Sequence, residues 1–265
     1  MTDLDRAVVV LTGATGGFGR ELTKQLLQAG SQLILSDINR SALDKLTAEI
    51  NCSTGKILAC IESDLSTREG CGILYQQVKL LNLPIDILIN NAGIGLYGRM
   101  DEVPNDKWER LMQVNLLAPM RLSTLFVAEM IERRQGHIVN ISSLAGWVAP
   151  AGMAHYSSSK FGLRGFSMGL WNEVKPYNVK VTAVYPFFSK TPILQSESFG
   201  TLAQGRKRSS ENIATEPADV TAKTIKAIVR NRLHVFPDRV GRTIYLIQQY
   251  FPQLFEIVSQ RYNSR

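Results

Sequence analysis

Tyr156 and Lys160 stand four residues apart in a stretch with helical spacing, so the phenol and the ammonium share one face. A phenol ordinarily titrates near pH ~10 and is a poor base at neutrality. An ammonium held beside it favours the phenolate and brings the group toward working pH. Moving a phenol from about 10 to about 7 takes roughly 4 kcal/mol of preferential stabilisation of the charged form. A lysine together with a second positive charge in a desolvated cleft would supply that. The same spacing occurs on many surface helices, so the pair gains its meaning from its company. Ser142 and Ser143 end an apolar strand, and Ser143 lies 13 residues before Tyr156. Asn90, Asn91, Ala92 and Gly93 end another strand, and Asn115 lies in the long helical stretch between the two.

A second constellation suits a pyrophosphate. The run TGATGGFG, Thr12 to Gly19, follows the first apolar strand and opens a helix. Glycines let the backbone turn tightly and approach a phosphate, and a helix N-terminus offers free N–H groups with partial positive charge. The alternative is a glycine-rich turn without a ligand. Asp37 follows the second strand, 18 residues beyond Gly19. A carboxylate there accepts hydrogen bonds from the ribose hydroxyls of an adenine nucleotide and repels a 2′-phosphate, which favours NAD over NADP. Arg40 nearby could instead accommodate that phosphate, so NADP stays possible. Asp37, and Asp64 after the third strand, could equally be helix caps.

These residues sit where an alternation of strands and helices puts them. The strand-like runs are Ala7–Leu11, Gln32–Ser36, Ile57–Ile61, Ile85–Ile89, His137–Ile141, Val179–Tyr185 and a short Leu233–Phe236. Helical spacing covers Gly19–Gln28, Ser41–Ile50, Ser66–Leu83, Asn105–Arg133 with a kink expected at Pro119, Tyr156–Val174 and Pro217–Arg230. Continuous apolar strands between helices predict a parallel sheet buried on both faces, hence a doubly wound α/β (Rossmann) fold. Ligands in such sheets bind at the carboxyl ends of the strands, where all the residues above fall. Residues 186–215 read as an irregular, substrate-covering insertion after the sixth strand, and 240–265 as a C-terminal helical extension of one single domain.

In the order and spacing of these motifs the sequence resembles the short-chain dehydrogenase/reductase family, in its compact single-domain form, up to about residue 195. The resemblance implies that Tyr156 is the general acid/base and that Lys160 lowers its pKa and holds the nicotinamide ribose. Ser143 would polarise the substrate carbonyl, and Asn115 would anchor a water that links Lys160 to solvent; its plainer role is a polar kink in a core helix. Gly13, Gly17 and Gly19, with Thr15 and Phe18 of the same turn, would cradle the pyrophosphate. Asp64 and Leu65 would meet the adenine, and Asn91, Ala92 and Gly93 the adenosine ribose side. Pro186, Ser189 and Thr191 fall in the loop that meets the nicotinamide, with Thr191 on the carboxamide. Here the sequence departs from the family: Phe187 stands where glycine is usual and Ser189 where valine or isoleucine is usual. No metal is implied. Dimers or tetramers are implied, through the long helix after the fourth strand and the Tyr156 helix.

The residues expected over the nicotinamide are Ile94, Leu96, Tyr97, Leu144, Trp147, Val148, Met153, His155, Phe187 and Phe188. Few charges are present there, which suits a hydrophobic alcohol or ketone or, equally, a closed lid packed on itself. His155 reads as a pocket wall. The net charge of +7 is uneven: 11 basic against 5 acidic residues lie beyond residue 200. They are scattered among Ile244, Ile247, Phe251, Leu254, Phe255 and Val258, which argues against a nucleic-acid site. That tail suits core packing or a subunit contact, with a membrane surface as the less favoured use. The acidic start and the lack of an 18-residue apolar run give no sign of a targeting or spanning segment. Cys52, Cys60 and Cys71, odd in number and without CxxC spacing, read as reduced thiols in a cytoplasmic protein.

Overall fold

The structure is a computed structural model and describes residues 1–50, 54–204, 214–253 and 255–256. Its centre is a seven-stranded sheet of β1 (Val8–Thr12), β2 (Gln32–Asp37), β3 (Lys56–Glu62), β4 (Ile87–Asn90), β6 (Gly136–Ile141), β7 (Val179–Val184) and β9 (His234–Val235). The order is β3-β2-β1-β4-β6-β7-β9 and every pairing is parallel. Strand order therefore reverses between β1 and β4, and a crevice opens there at the carboxyl ends. All five β1 residues are buried, as a strand covered on both faces requires.

One face carries α1 (Gly17–Gln28), α2 (Arg40–Glu49) and α8 (Pro217–Val229), whose Leu22, Leu26, Leu43 and Ile228 pack against Val9, Leu11 and Leu35. The other carries α3 (Arg68–Leu80), α4 (Asn105–Met112), α5 (Ala118–Glu132) and α6 (Ala154–Val174), with Leu74, Leu122, Phe126 and Leu170 against Val10, Leu88 and Val181. The seven strands and six helical stretches match the sequence reading to within a few residues at their ends.

The long helix is irregular next to Pro119. Its irregularity is a π-turn at Gln113–Leu117 between α4 and α5, and Pro119 lies beyond it in the first turn of α5. Pro119 lies inside the continuous helical run 105–132 and has no N–H to give the Asn115 carbonyl, so the proline and the π-turn just before it form one irregularity. The π-turn is centred on Asn115, and such turns mark functional sites. By length and apolarity the run 105–132 would cross a membrane, but its inner side, including Leu111, Leu122, Phe126 and Met130, belongs to the core.

The described part of the insertion after β7, residues 186–204 and 214–215, is more ordered than its sequence suggests. β8 (Ser198–Phe199) pairs with β5 (Tyr97–Gly98), and α7 (Gly200–Gln204) follows. A backbone bridge between Ser189 and Thr215 ties the base of the insertion together. α9 (Arg239–Tyr250) carries the partly buried residues Ile244 and Ile247. Leu254, Val258, Cys52 and the Arg206–Arg208 cluster lie outside the described residues.

Candidate active site

The glycine turn is interlocked with the end of β4. Gly13 takes φ +63°, and a Cβ there would lie 2.7 Å from the Ala92 Cα. The Asn91 amide donates to the carbonyls of Thr12 (3.0 Å) and Gly13 (2.9 Å), while the backbone N–H groups of Asn91 and Ala92 donate to the Thr12 hydroxyl. A Cβ on Gly19 would meet the Gly13 carbonyl at 2.1 Å, so only glycine lets α1 approach so closely. The cap residue of α1 is Gly16, which has no side chain to satisfy the first-turn amides. Free amides at a helix start, glycines facing them and a buried strand below fit a dinucleotide pyrophosphate. Thr191 reaches this turn from the far side of the crevice, because a Cβ on Gly17 would strike its side chain at 2.5 Å.

Asp37 ends β2 and braces the same turn. Its Oδ2 accepts from the Thr15 N–H (2.9 Å) and hydroxyl (2.7 Å), and its Oδ1 from the Ile38 N–H. Arg40 is turned to Asp44 and the Cys60 carbonyl. Asp64 accepts from the Ser66 N–H, and its carboxyl lies below the ordinary range because the hydrogen bonds from Ser66 and the Arg110 charge outweigh partial burial. Leu65, Ala92 and Val114 line a narrow cleft beside it. Phe18 packs against the core beneath the turn.

Tyr156 and Lys160 lie on the inner face of α6, both buried. The Lys160 ammonium donates to the Ile141 carbonyl at 3.0 Å and stands 5.7 Å from the Tyr156 ring centroid. Burial pushes the lysine down to about 8. Burial also pushes the phenol up, and a hydrogen bond with Ser143 pulls it partly back. Burial is the larger of the two influences on the phenol. Ser143 caps a short 3-10 turn (Leu144–Gly146), accepting from the Ala145 N–H.

Asn115 accepts from the Ile94 N–H (2.9 Å) and donates to the Ile94 carbonyl and to Ser159. A Cβ on Gly93 would come within 3.6 Å of the Lys160 Nζ and 3.4 Å of the Asn115 Oδ1, so the three converge. Sequence alone assigned Ser142 and Asn90 no role of their own and did not point to Asn140 or Ser167, the supports of this cluster. Ser142 donates to the Lys160 carbonyl, and the chain Asn90–Asn140–Ser167 runs buried between β4, β6 and α6. Three polar residues ending or lining otherwise apolar strands were their signal.

Leu96, Ala145, Ile94 and Met153 pack with Tyr156 in one apolar cluster. His155 is buried, and burial holds its imidazole below the ordinary value and neutral at pH 7. Trp147 is a correction. It turns away into an aromatic cluster with Tyr185, Phe236 and Tyr245, and the Arg164 guanidinium lies 4.0 Å over its ring. Edge-on ring contacts and a cation over one face hold the indole in that cluster. Phe187, standing where glycine is usual, is not among the residues with positive φ, so the substitution carries no backbone strain. Ser189 is buried, and Pro186 accepts from the Leu144 N–H at 2.8 Å.

The sequence model described as short chain dehydrogenase matches residues 7–200. The chain belongs to this family. It is 32% identical to 3-ketodihydrosphingosine reductase of Bos taurus over 249 residues, 92% of this chain and 74% of that protein. It is 31% identical to epidermal retinol dehydrogenase 2 of Mus musculus over 253 residues, 92% of this chain and 78% of the relative. A short-chain dehydrogenase structure from Streptomyces avermitilis superposes with a TM-score of 0.81 at 25% identity, covering 100% of this chain and 99% of that one. The chain is therefore an oxidoreductase of the short-chain type with a Rossmann-like parallel sheet, acting on a small molecule.

Proposed function

We propose that this protein transfers a hydride between NAD and a lipophilic secondary alcohol or its ketone. The observation that carries the reading is the burial of Tyr156 among Leu96, Ala145, Ile94 and Met153, with Ser143 on its phenol. Apolar walls around one proton-transferring group suit a substrate that is apolar except at the reacting oxygen. The names of two relatives, a ketosphingolipid reductase and a retinol dehydrogenase, support the same class. Bound nicotinamide supplies the hydride acceptor or donor. The chain's own residues do the rest: the Gly13–Gly19 turn, Asp37, Asp64, Leu65, Asn91, Ala92 and Gly93 would hold the nucleotide, with Pro186, Ser189 and Thr191 at its nicotinamide end. Ser143 holds the substrate oxygen against the Tyr156 hydroxyl, which gives or takes the proton there. Lys160 and Asn115 order that end of the crevice.

Asp37 at the end of β2 favours NAD, because a 2′-phosphate beside it would meet its charge while Arg40 is engaged elsewhere. Exposed Met120, Phe161 and Met168 on α5 and α6 support a homodimer or homotetramer through that face. The test is a panel of hydrophobic ketones and alcohols with each nucleotide, followed by near-ultraviolet absorbance. Turnover is expected with long-chain or polycyclic ketones and faster with NAD. Asp37→Ala is expected to cut the NAD preference about tenfold, the size of one lost charge-assisted hydrogen bond. Tighter NADP binding by the unaltered protein would transfer the role to Arg40.

A further inference from the structure

We infer that Asp238, from the C-terminal part of the chain, is a positioning residue for the active-site serine, acting through the Pro186–Phe187 peptide. This rests on the reading of Ser143 and Tyr156 above; Asp238 itself lies beyond residues 7–200, the stretch that matches the family. Asp238 is 4% exposed and precedes α9. Its Oδ2 accepts from the Phe187 N–H at 2.8 Å, and its Oδ1 is buried with no hydrogen-bond partner. The carboxylate does not cap its own helix. A buried carboxylate is costly, and one backbone N–H is a small return for it. The geometry gives that N–H its importance.

The Phe187 N–H and the Pro186 carbonyl belong to one rigid peptide plane. That carbonyl accepts from the Leu144 N–H at 2.8 Å, and the Ser143 Oγ stands 3.5 Å from it. Asp238 thus grips one edge of the plane while the Ser143–Leu144 segment rests on the other. Rotation of the peptide would release Leu144 N–H and let the serine turn. The grip is backed by packing. Gly241, one turn into α9, lets the helix approach until a Cβ there would be 3.3 Å from the Phe187 Cβ. Tyr245, one turn on, stacks on Phe236 at 4.3 Å and meets Trp147 edge-on at 4.6 Å. Trp147 follows the Ser143 turn directly, so the helix holds both ends of that segment.

The test compares Asp238→Ala with Asp238→Asn in the full-length protein. Asparagine keeps an acceptor for the Phe187 N–H; alanine removes it. Amide hydrogen exchange of the ligand-free protein reads the grip without any turnover. Asp238→Ala is expected to speed exchange in segments 142–147 and 185–191 and leave the Gly13–Gly19 turn unchanged. Its kcat is expected to fall about 10- to 100-fold with nucleotide affinity within about twofold, as misplacement of a catalytic group does. Asp238→Asn should restore exchange and most of kcat. Equal exchange at 142–147 in Asp238→Ala and the unaltered protein would overturn the inference. So would equal damage by both substitutions, which would make the residue a structural charge. If Asp238→Ala fails to fold, Gly241→Ala presses on Phe187 from the same side and must raise exchange at 142–147. No change there overturns the inference as well. Failure of the redox assay in every variant, with the exchange pattern as expected, would instead count against the proposed function.

Discussion

The nucleotide side and the reaction side of the crevice are built on opposite economies. From β1 to β4 the site is backbone: glycines that let chain segments touch, and side chains such as Thr12, Asn91 and Asp37 spent on holding main-chain groups. From β6 onward it is buried, ionisable side chains: Lys160 held down to about 8, and Tyr156 pushed up, both by loss of water. The first half gains stability from closing on itself. The second half stores unfavourable burial, which brings the lysine toward neutral pH and keeps the phenol protonated. Strain in the reaction half is expected to cost fold stability, and glycine in the nucleotide half to protect it.

Substitution at Lys160 separates the two most sharply. Lys160→Met is expected to lower turnover by about 10²- to 10⁴-fold, the scale of acid–base assistance. It is also expected to raise stability at pH 7 by about 1–3 kcal/mol, since a buried ammonium is replaced by an apolar chain of similar length. The sign follows from linkage. The folded value, about 8, lies below the ordinary value of 10.5, so between them the unfolded chain binds more protons than the native one. The stability of the unaltered protein therefore rises relative to Lys160→Met as pH goes from about 8 toward 10.5, and denaturant melts across that range check it. A Lys160→Met protein that is less stable at pH 7 would break the contrast.

In the nucleotide half the expected stability effect runs the other way, and the functional effect is smaller. Gly19→Ala puts a methyl 2.1 Å from the Gly13 carbonyl, where backbone must move. It should cost about 1–3 kcal/mol of stability and at least about tenfold in nucleotide affinity. Calorimetric titration of either nucleotide measures the second effect. Gly72→Ala is the internal reference. A Cβ there meets nothing within 4 Å in the middle of α3, so the fold should gain about 0.5–1 kcal/mol with affinity unchanged. Equal losses at Gly19 and Gly72 would mean that the close approach of α1 to the turn carries no weight.

What was legible in the sequence follows the same division. Strands buried on both faces are continuous apolar runs, and the glycine turn must follow one of them, so both stood out. Ser143, Tyr156 and Lys160 were found because their spacing is local. The π-turn itself was not, because Asn115 at its centre finds partners in Ile94 and Ser159, which are remote in sequence. The pairing of Tyr97–Gly98 with Ser198–Phe199 joins two segments about a hundred residues apart with no alternating pattern to reveal them. Trp147 looked like a pocket wall because its partners, Tyr185, Phe236 and Tyr245, come from three later segments. Asp238 carries no motif at all; its meaning is a single hydrogen bond to Phe187.

The central claim is that the Tyr156 phenol carries the proton while the nucleotide half works without it. Binding of reduced nicotinamide, by its fluorescence, and turnover of a hydrophobic ketone, by its absorbance, are to be measured side by side for the unaltered protein and Tyr156→Phe. The account predicts a dissociation constant within about threefold and a kcat lowered by about 10²- to 10⁴-fold. A Tyr156→Phe protein that turns over within tenfold of the unaltered one would contradict it.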